Sequence, residues 1–163
     1  GYRYFNTFNV KPSYEFGYGL SYTTFEYSDI KLSGKTFGDK MTISVTVKNT
    51  GKTAGKEVVE LYLSAPSKAI DKPSSELKAF GKTKLLQAGE SQTITLTLEA
   101  KNLASFVSAK NAWIAEAGSY KVSIGDSSMN IKKSAVFNVP KELIVEKTNS
   151  SFASDIQFTD LKL

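Results

Sequence analysis

Carboxylates that lie close together in the chain are its first candidates for chemistry, because a pair can act as general acid and general base when its surroundings raise the pKa of one member. Two such pairs stand out, Glu57/Glu60 and Asp155/Asp160. The first falls in a strand-like segment and the second in a polar tail, and neither context supplies a feature that would raise a pKa. We therefore predict that both pairs lie on solvated faces and that the chain holds no catalytic residue.

Two residue types that carry much of enzyme chemistry are absent from the sequence. It contains no histidine, the commonest general base and the base of hydrolase triads, and no cysteine, which supplies thiolate ligands and disulfides. Asp126–Ser128 resembles the start of a calcium-binding turn, but it has no downstream glutamate and is more typical of a hairpin turn. Gly17–Gly19 is not a phosphate-binding loop, since no helix and no GKS or GKT sequence follows it. We predict neither a metal nor a cofactor.

Positive charge exceeds negative charge, with 21 lysines and arginines against 16 acidic residues and a net charge of +5. Arg3 is the only arginine, the lysines are scattered, and only Lys132 and Lys133 are adjacent. A nucleic-acid surface more often gathers its charge and uses arginine for bidentate contacts, so we expect these lysines to solvate exposed strand faces. No apolar run approaches the roughly 18 residues that span a bilayer. We predict no nucleic-acid partner and no membrane partner.

The most unusual segment is Tyr14–Tyr27, YEFGYGLSYTTFEY, which places six aromatic residues and two glycines in fourteen positions. Ten of the nineteen aromatic residues of the chain lie between Tyr2 and Tyr27, more than one small domain can cover. Exposed apolar surface usually marks an interface, and glycine lets a backbone approach another surface closely. We predict a docking surface for a partner domain, formed by Tyr14, Phe16, Gly17, Tyr18, Gly19, Leu20, Ser21 and Tyr22.

Short alternating segments dominate the middle of the sequence and indicate the fold class. Apolar and polar residues alternate over Met41–Lys48 and Thr93–Leu98, and turn signals recur about every 8–12 residues. Phe25–Leu32 is a further strand, and Leu77–Leu86 suits an edge position because lysines and Gly81 interrupt it. No segment has the period of a long helix. We predict an all-β sandwich of about seven or eight strands, of the immunoglobulin or fibronectin type III-like class.

A sandwich of this class needs about 100 residues, and the strand-like segments fill residues 25–140. Residues 1–24 then form an extended, aromatic-rich linker that leaves a preceding domain. Residues 141–163 form a C-terminal tail, in which Leu143–Val145 could add one strand. Because the chain begins with Gly1 and has no signal peptide, we expect it to be a fragment of a longer protein.

The opening segment Gly1–Ser28, GYRYFNTFNVKPSYEFGYGLSYTTFEYS, resembles a junction in glycoside hydrolase family 3, where the chain leaves the second catalytic domain and enters a C-terminal fibronectin type III-like domain. The resemblance continues to about Lys147. Later segments are similar to strand and turn motifs of that domain: GKEVVELYLS at Gly55–Ser64, ELKAF at Glu76–Phe80, LLQAGE at Leu85–Glu90 and GSYKVSIGDSS at Gly118–Ser128.

The resemblance implies an enzyme of which this chain is not the catalytic part. Members of the family cleave β-linked glucosides, xylosides or related sugars with retention, using a carboxylate nucleophile and a carboxylic acid/base. Both residues belong to domains that precede this one, and no residue here matches either motif, so the chain alone is expected to be inactive. The implied partners are the catalytic domains of the same polypeptide and oligosaccharide at the cleft rim. The implied location is periplasmic or secreted, in a bacterium.

Three functions stay open at this point. The first is a non-catalytic accessory domain of a β-glucosidase-like or β-xylosidase-like enzyme, which docks on and stabilises the catalytic domains and could shape the cleft rim. The second is a free-standing carbohydrate-binding module with aromatic faces for sugar. Against it, Trp113 lies between Ala112 and Ile114, a context that fits core packing at least as well as an exposed platform. The third is an immunoglobulin-like adhesion or assembly domain, which the lysine-studded strands disfavour.

Overall fold

The computed structural model describes residues 1–149, so the acidic pair Asp155/Asp160 lies outside the described residues. Strands are the main regular structure of this part of the chain, and a single 3₁₀ turn, Ser108–Lys110, accompanies them. In chain order the helices and strands are α1 (Tyr2–Thr7), β1 (Phe25–Tyr27), β2 (Lys31–Leu32), β3 (Lys40–Asn49), β4 (Val58–Ser64), β5 (Glu76–Lys82), β6 (Ser91–Glu99), α2 (Ala100–Leu103), β7 (Ser105–Val107), β8 (Ala112–Ala115), β9 (Gly118–Gly125), β10 (Ile131–Val139) and β11 (Leu143–Lys147).

The described strands form three antiparallel sheets. In the first, β3 is central, with β1 and β2 along one edge and β6 along the other. The second sheet has the order β10-β9-β4-β5, which puts β5 at an edge, as its interrupted sequence predicts. The third is small, with the order β11-β8-β7. The first two sheets share one hydrophobic core, so the predicted all-β sandwich is confirmed.

The core lies between these two sheets and follows the predicted alternation. Hydroxyl side chains on the outer face bond across the strands, with the Thr46 and Thr93 oxygens 2.8 Å apart. On the second sheet, Leu61, Val122 and Ile124 are completely buried against the first. The alternating apolar residues of β3 and β6 are all buried: Met41, Ile43, Val45, Val47, Ile94, Leu96 and Leu98.

The predicted strand Phe25–Leu32 is interrupted, since β1 ends at Tyr27 and β2 begins at Lys31. Ser28 accounts for the break. Its hydroxyl oxygen accepts the Thr46 amide over 2.9 Å, in place of a backbone carbonyl. A serine side chain offers the neighbouring strand this alternative to a regular ladder, and the backbone is then free to bend.

A buried ion pair fixes the loop between β4 and β5. Lys72 Nζ donates to Glu116 Oε1 over 2.5 Å, and the backbone N–H groups of Lys68 and Ala69 donate to the other carboxylate oxygen. Burial by itself would raise the pKa of Glu116, but these donors outweigh it and the pKa is lowered. The sequence predicts a loop over Pro66–Glu76 but not the distant contact that holds it.

Strand β11 lies in the predicted tail, at the place where the sequence suggests one added strand, and it pairs with β8. The division of the chain into residues 1–24, 25–140 and 141–163 stays a prediction. In the part of the chain that the structure describes, no helix combines the length and the apolar character needed to cross a bilayer.

Candidate functional site

The linker is fixed at its beginning to the outer face of the second sheet. Helix α1 places Tyr2 there, where the Leu77 amide of β5 donates to the tyrosine hydroxyl over 2.7 Å. The Tyr2 ring packs edge-on against Tyr62 of β4, with ring centroids 5.8 Å apart. The Arg3 guanidinium forms an ion pair of 3.0 Å with Glu76 at the start of β5. We name these contacts the first anchor.

A second anchor lies at Phe16 and Gly17, which cross β4 and the turn between β9 and β10. The Ser128 amide donates to the Phe16 carbonyl over 2.8 Å. Gly17 has a φ of +86°, and a Cβ atom there would lie 2.7 Å from Glu60 Oε2 and 2.9 Å from Ser127 Cα. Only glycine fits this conformation at these distances. Gly17 therefore makes a close approach, but to the sandwich of its own chain.

The third anchor closes the linker at Thr23 and Thr24. The Thr23 hydroxyl donates to Asn49 Oδ1 over 2.6 Å, and the Thr50 amide donates to the Thr24 carbonyl over 2.8 Å. Asn49 is fully buried, and its side-chain nitrogen donates in turn to two backbone carbonyls. The buried amide therefore links the end of the linker to the core. A Cβ atom added at Gly51 would overlap the Thr23 hydroxyl, so the turn after β3 must also be narrow.

Between the second and third anchors the chain forms an arch, residues 18–22, that stands away from the sandwich. Tyr22 is 98% exposed and Leu20 is 91% exposed. A Cβ atom added at Gly19 would meet no atom of the described residues within 4 Å. The close approach expected at Gly19 is therefore absent from the described part of the chain. Tyr14 packs its ring against Tyr18, with centroids 5.0 Å apart, and extends the exposed surface.

The structure thus brings the predicted docking residues together but gives them two roles. Phe16 and Gly17 contact the sandwich, although Phe16 is still 48% exposed, while the remaining six are exposed and lie outside the anchors. Because anchors on both sides hold the backbone, the exposed side chains are presented in a fixed arrangement, as a binding surface requires. Their contact with a partner domain stays a prediction. The exposed set is Tyr14, Tyr18, Gly19, Leu20, Ser21 and Tyr22.

A cleft of about 470 Å³ lies between the arch and the sandwich. Charged side chains of both signs line it, and Asp126 forms an ion pair of 3.1 Å with Lys132 at one side. Within residues 1–149, no group of three histidine, cysteine, aspartate or glutamate side chains could hold a metal ion. Further charged residues of the cleft are Lys56, Glu57 and Lys82.

Glu60 is buried beneath the linker, at 7% exposure, although the sequence predicts that it and Glu57 are solvated. The Tyr62 hydroxyl donates to Glu60 Oε2 over 2.6 Å. Burial raises the pKa of Glu60 despite this hydrogen bond, and burial also raises the pKa of Glu57. The prediction of a solvated pair is therefore wrong. Alternation puts Glu60 on the outer face of β4, and only the folded chain lays Tyr2 and Gly17 over that face.

A raised carboxyl pKa can mark a general acid, but the surroundings of Glu60 indicate a structural role. Both of its oxygens face Gly17, at 2.7 and 2.8 Å from the position an added Cβ would take, and one also accepts the Tyr62 hydroxyl. The carboxyl group is therefore occupied by contacts within its own chain.

Trp113 lies outside the core. Of the two alternatives for this residue, core packing and an exposed position, the structure shows the exposed one. The side chain is 43% exposed, and its ring centroid lies 5.7 Å from that of Phe106 on the neighbouring strand β7. Its neighbours Ala112 and Ile114 are buried, and the alternation of β8 therefore turns Trp113 outward.

Phe80 is a surface residue that the sequence reasoning missed. It is 68% exposed and lies opposite Glu60 in the register of β4 and β5, on the same outer face. The available signal was a large aromatic residue between lysines in a strand predicted to lie at a sheet edge.

Comparison with known proteins places this geometry in context. A model of the fibronectin type III-like domain matches residues 57–128. Thermostable beta-glucosidase B of Acetivibrio thermocellus is 39% identical over 160 residues, which cover 96% of this chain and 21% of that protein. The beta-glucosidase of Kluyveromyces marxianus is 46% identical over 147 residues, covering 88% of this chain and 17% of that protein.

Solved structures of similar proteins share the fold of this chain. Beta-glucosidase 3B from Thermotoga neapolitana, in complex with glucose, superimposes with a TM-score of 0.83 at 51% identity, over 88% of this chain and 19% of that one. A GH3 beta-glucosidase from Bifidobacterium adolescentis gives a TM-score of 0.83 at 34% identity, over 94% of this chain and 22% of that one. The chain spans about a fifth of the length of the curated relatives it matches.

Proposed function

The chain belongs to the C-terminal fibronectin type III-like domains of glycoside hydrolase family 3, and we propose that it docks through its linker on the preceding catalytic domains and stabilises them. It is a non-catalytic accessory domain. The parent polypeptide is, in this proposal, a retaining β-glycosidase of the β-glucosidase or β-xylosidase type.

The observation that carries the proposal is the arch held between two anchors. Leu20 and Tyr22 expose nearly their whole side chains, although the backbone on each side is bonded to the sandwich. An isolated domain gains nothing from fixing apolar side chains in water, whereas an interface gains affinity from a surface that is ordered before binding. Because the linker leads back toward the preceding domain, that domain is the natural partner.

The proposal extends to the rim of the substrate cleft. Tyr18 and Tyr22 are exposed, and aromatic rings can pack against the apolar faces of sugar rings in an oligosaccharide. In this role the arch would add to a binding site whose catalytic residues lie in the preceding domains.

The double variant Leu20→Ser with Tyr22→Ser tests docking in the full-length polypeptide that carries this chain. We expect faster proteolytic cleavage within the linker and a lower melting temperature, because the arch loses its contacts with the partner domain. Ile144→Ser is the matched control, since Ile144 is a half-exposed apolar residue of the third sheet. Equal cleavage rates and melting temperatures for the two variants would contradict docking through the arch.

A carbohydrate-binding module is the second candidate, and the exposed Phe106–Trp113 pair is the observation that favours it. Calorimetric titration of the chain with cello- and xylo-oligosaccharides separates the two functions, because docking alone predicts no heat of binding. A measurable heat that Trp113→Ala abolishes would support this candidate.

We also propose, from the family resemblance, that the parent polypeptide works in the periplasm or outside the cell. Fractionation of the source cells, with an antibody against this chain, measures the location directly. Recovery of the polypeptide only in the cytosolic fraction would contradict the proposal.

A further inference from the structure

We infer that Phe80 of β5 directly contacts the domain that precedes this one in the polypeptide, so that the sandwich itself supplies part of the docking surface. The inference rests on the proposed docking function and adds to it a residue that lies outside the linker. A contact between the preceding domain and a strand of the sandwich would fix the angle between the two domains more firmly than a linker alone.

The position of Phe80 beside the second anchor is the first observation. Its side chain is 68% exposed, which is unusual for phenylalanine, and it lies opposite Glu60 on the outer face of the second sheet. Glu60 is the residue that Gly17 covers. Phe80 therefore lies on the strand next to the one that the linker crosses, beside the point where Gly17 covers Glu60.

The start of the chain is the second observation. Tyr2 and Arg3 are bonded to Leu77 and Glu76, so the first anchor uses the same strand that carries Phe80. Phe80 follows Leu77 by three residues on β5, and three residues of a strand span about 10 Å. The start of this chain is therefore held on the strand that carries Phe80, and the preceding domain is the partner best placed to cover it.

The chemistry of the surface indicates what kind of partner surface fits. Aromatic residues are the commonest anchors of protein interfaces and fill desolvated pockets. Lys82 follows Phe80 on the same face and lines the cleft under the arch, together with Lys56. We therefore expect an apolar pocket for Phe80 on the preceding domain, with an acidic group that faces Lys82.

Photochemical cross-linking in the full-length polypeptide tests this placement. The photoreactive residue p-benzoylphenylalanine replaces Phe80, or Leu20 of the arch, or Val136. Val136 is the matched control, because it is exposed on β10, at the opposite edge of the same sheet. After irradiation, mass spectrometry identifies the cross-linked peptides. We expect the reagent at position 80 to capture peptides from the preceding domain, and the reagent at position 136 to capture none above background.

The outcomes separate this inference from the proposed docking function. Capture from position 20 but not from position 80 would overturn the role of Phe80 and leave docking through the arch intact. Absence of capture from both positions would overturn both.

A second measurement uses the variant Phe80→Ser in the same polypeptide. Loss of the contact between Phe80 and the preceding domain is expected to accelerate proteolytic cleavage within residues 1–24 by about fivefold or more. Val136→Ser should leave the cleavage rate unchanged. Equal rates for the two variants would contradict the inference.

Discussion

Gly17 and the side chains of Glu60 and Tyr62 form one unit where the linker crosses β4. Because Gly17 has no Cβ, the linker backbone comes close enough to shield the Glu60 carboxyl group from water, and burial raises its pKa. The pKa of Tyr62, which donates to that carboxyl group, is raised as well, by burial first and then by its hydrogen bond to Glu60. Packing of the linker and protonation of Glu60 therefore favour each other.

Replacing Gly17 by alanine is expected to detach the second anchor. The new Cβ would collide with the Glu60 carboxyl group, and holding a φ of +86° costs a residue with a Cβ about 1–3 kcal/mol. Hydrogen exchange of the Ser128 amide, which donates to the Phe16 carbonyl, should therefore become faster. Gly19→Ala is the control, because an added Cβ there meets open space among the described residues. Similar exchange in the two variants would contradict the role given to Gly17.

Replacing Glu60 by glutamine is expected to stabilise the chain near neutral pH. A carboxyl group whose pKa is raised by folding contributes its stability at low pH and loses it as pH rises through the raised value. Glutamine keeps an oxygen that accepts from Tyr62 but has no charge to bury. Urea unfolding between about pH 4 and pH 8 should show a gap between variant and parent that widens as pH rises. A gap that stays constant across this pH range would contradict the raised pKa of Glu60.

Among the elements, the linker depends on the sandwich far more than the sandwich depends on the linker. The buried cluster between the two large sheets begins with Tyr27, and Phe25 is the earliest residue that packs against it. The linker covers Tyr62 and Glu60 and donates a hydrogen bond to Asn49. These contacts refine the surface of the sandwich without building its core.

Deletion of residues 1–24 should therefore leave a sandwich that unfolds cooperatively. We expect a loss of about 1–2 kcal/mol in the free energy of unfolding, from the hydrogen bond to Asn49 and the cover over Tyr62. Self-association should fall, because the exposed arch is removed. Thermal melting followed by circular dichroism and sedimentation velocity measure the two effects. Loss of cooperative unfolding would place the linker in the core of this domain.

At the scale of the whole molecule, the chain is one sandwich with chemically distinct surfaces. The arch lies beside the second sheet and Phe80 lies on the outer face of that sheet, whereas Trp113 and Phe106 lie on the small third sheet. Relatives about five times as long contain a matching segment, which supports the proposal that these surfaces face other domains of a longer polypeptide. An interface that must hold domains of one polypeptide together can be modest, because the chain already keeps them at high effective concentration.

The purified chain should release no nitrophenol from an aryl β-glucoside. Retaining hydrolysis needs two carboxyl groups about 5 Å apart around a substrate, whereas Glu60 is enclosed by Gly17 and Tyr62. The full-length polypeptide, assayed in parallel, should release it. Release by the chain alone at an enzymatic rate would contradict the accessory role.

The sequence by itself determined the fold class and predicted a docking segment. Strict alternation over β3 and β6 decides which residues face the core, and the density of aromatic residues before Tyr27 exceeds what one sandwich can cover. These are local properties, because a period of two fixes the face of a strand on which each residue lies. The break at Ser28 was not determined in this way, because it depends on β3 supplying the Thr46 amide as the partner.

Only the tertiary structure decided what covers each outward face. Glu60 and Phe80 lie opposite each other on one outer face, yet the linker buries the first and leaves the second exposed. The ion pair between Lys72 and Glu116 likewise joins residues that are far apart in sequence. The residues of the aromatic segment can be identified from the sequence, but the division of this segment into anchors and an arch cannot. That division depends on where the chain meets Glu60 and Asn49, and such distant contacts leave no period in the sequence.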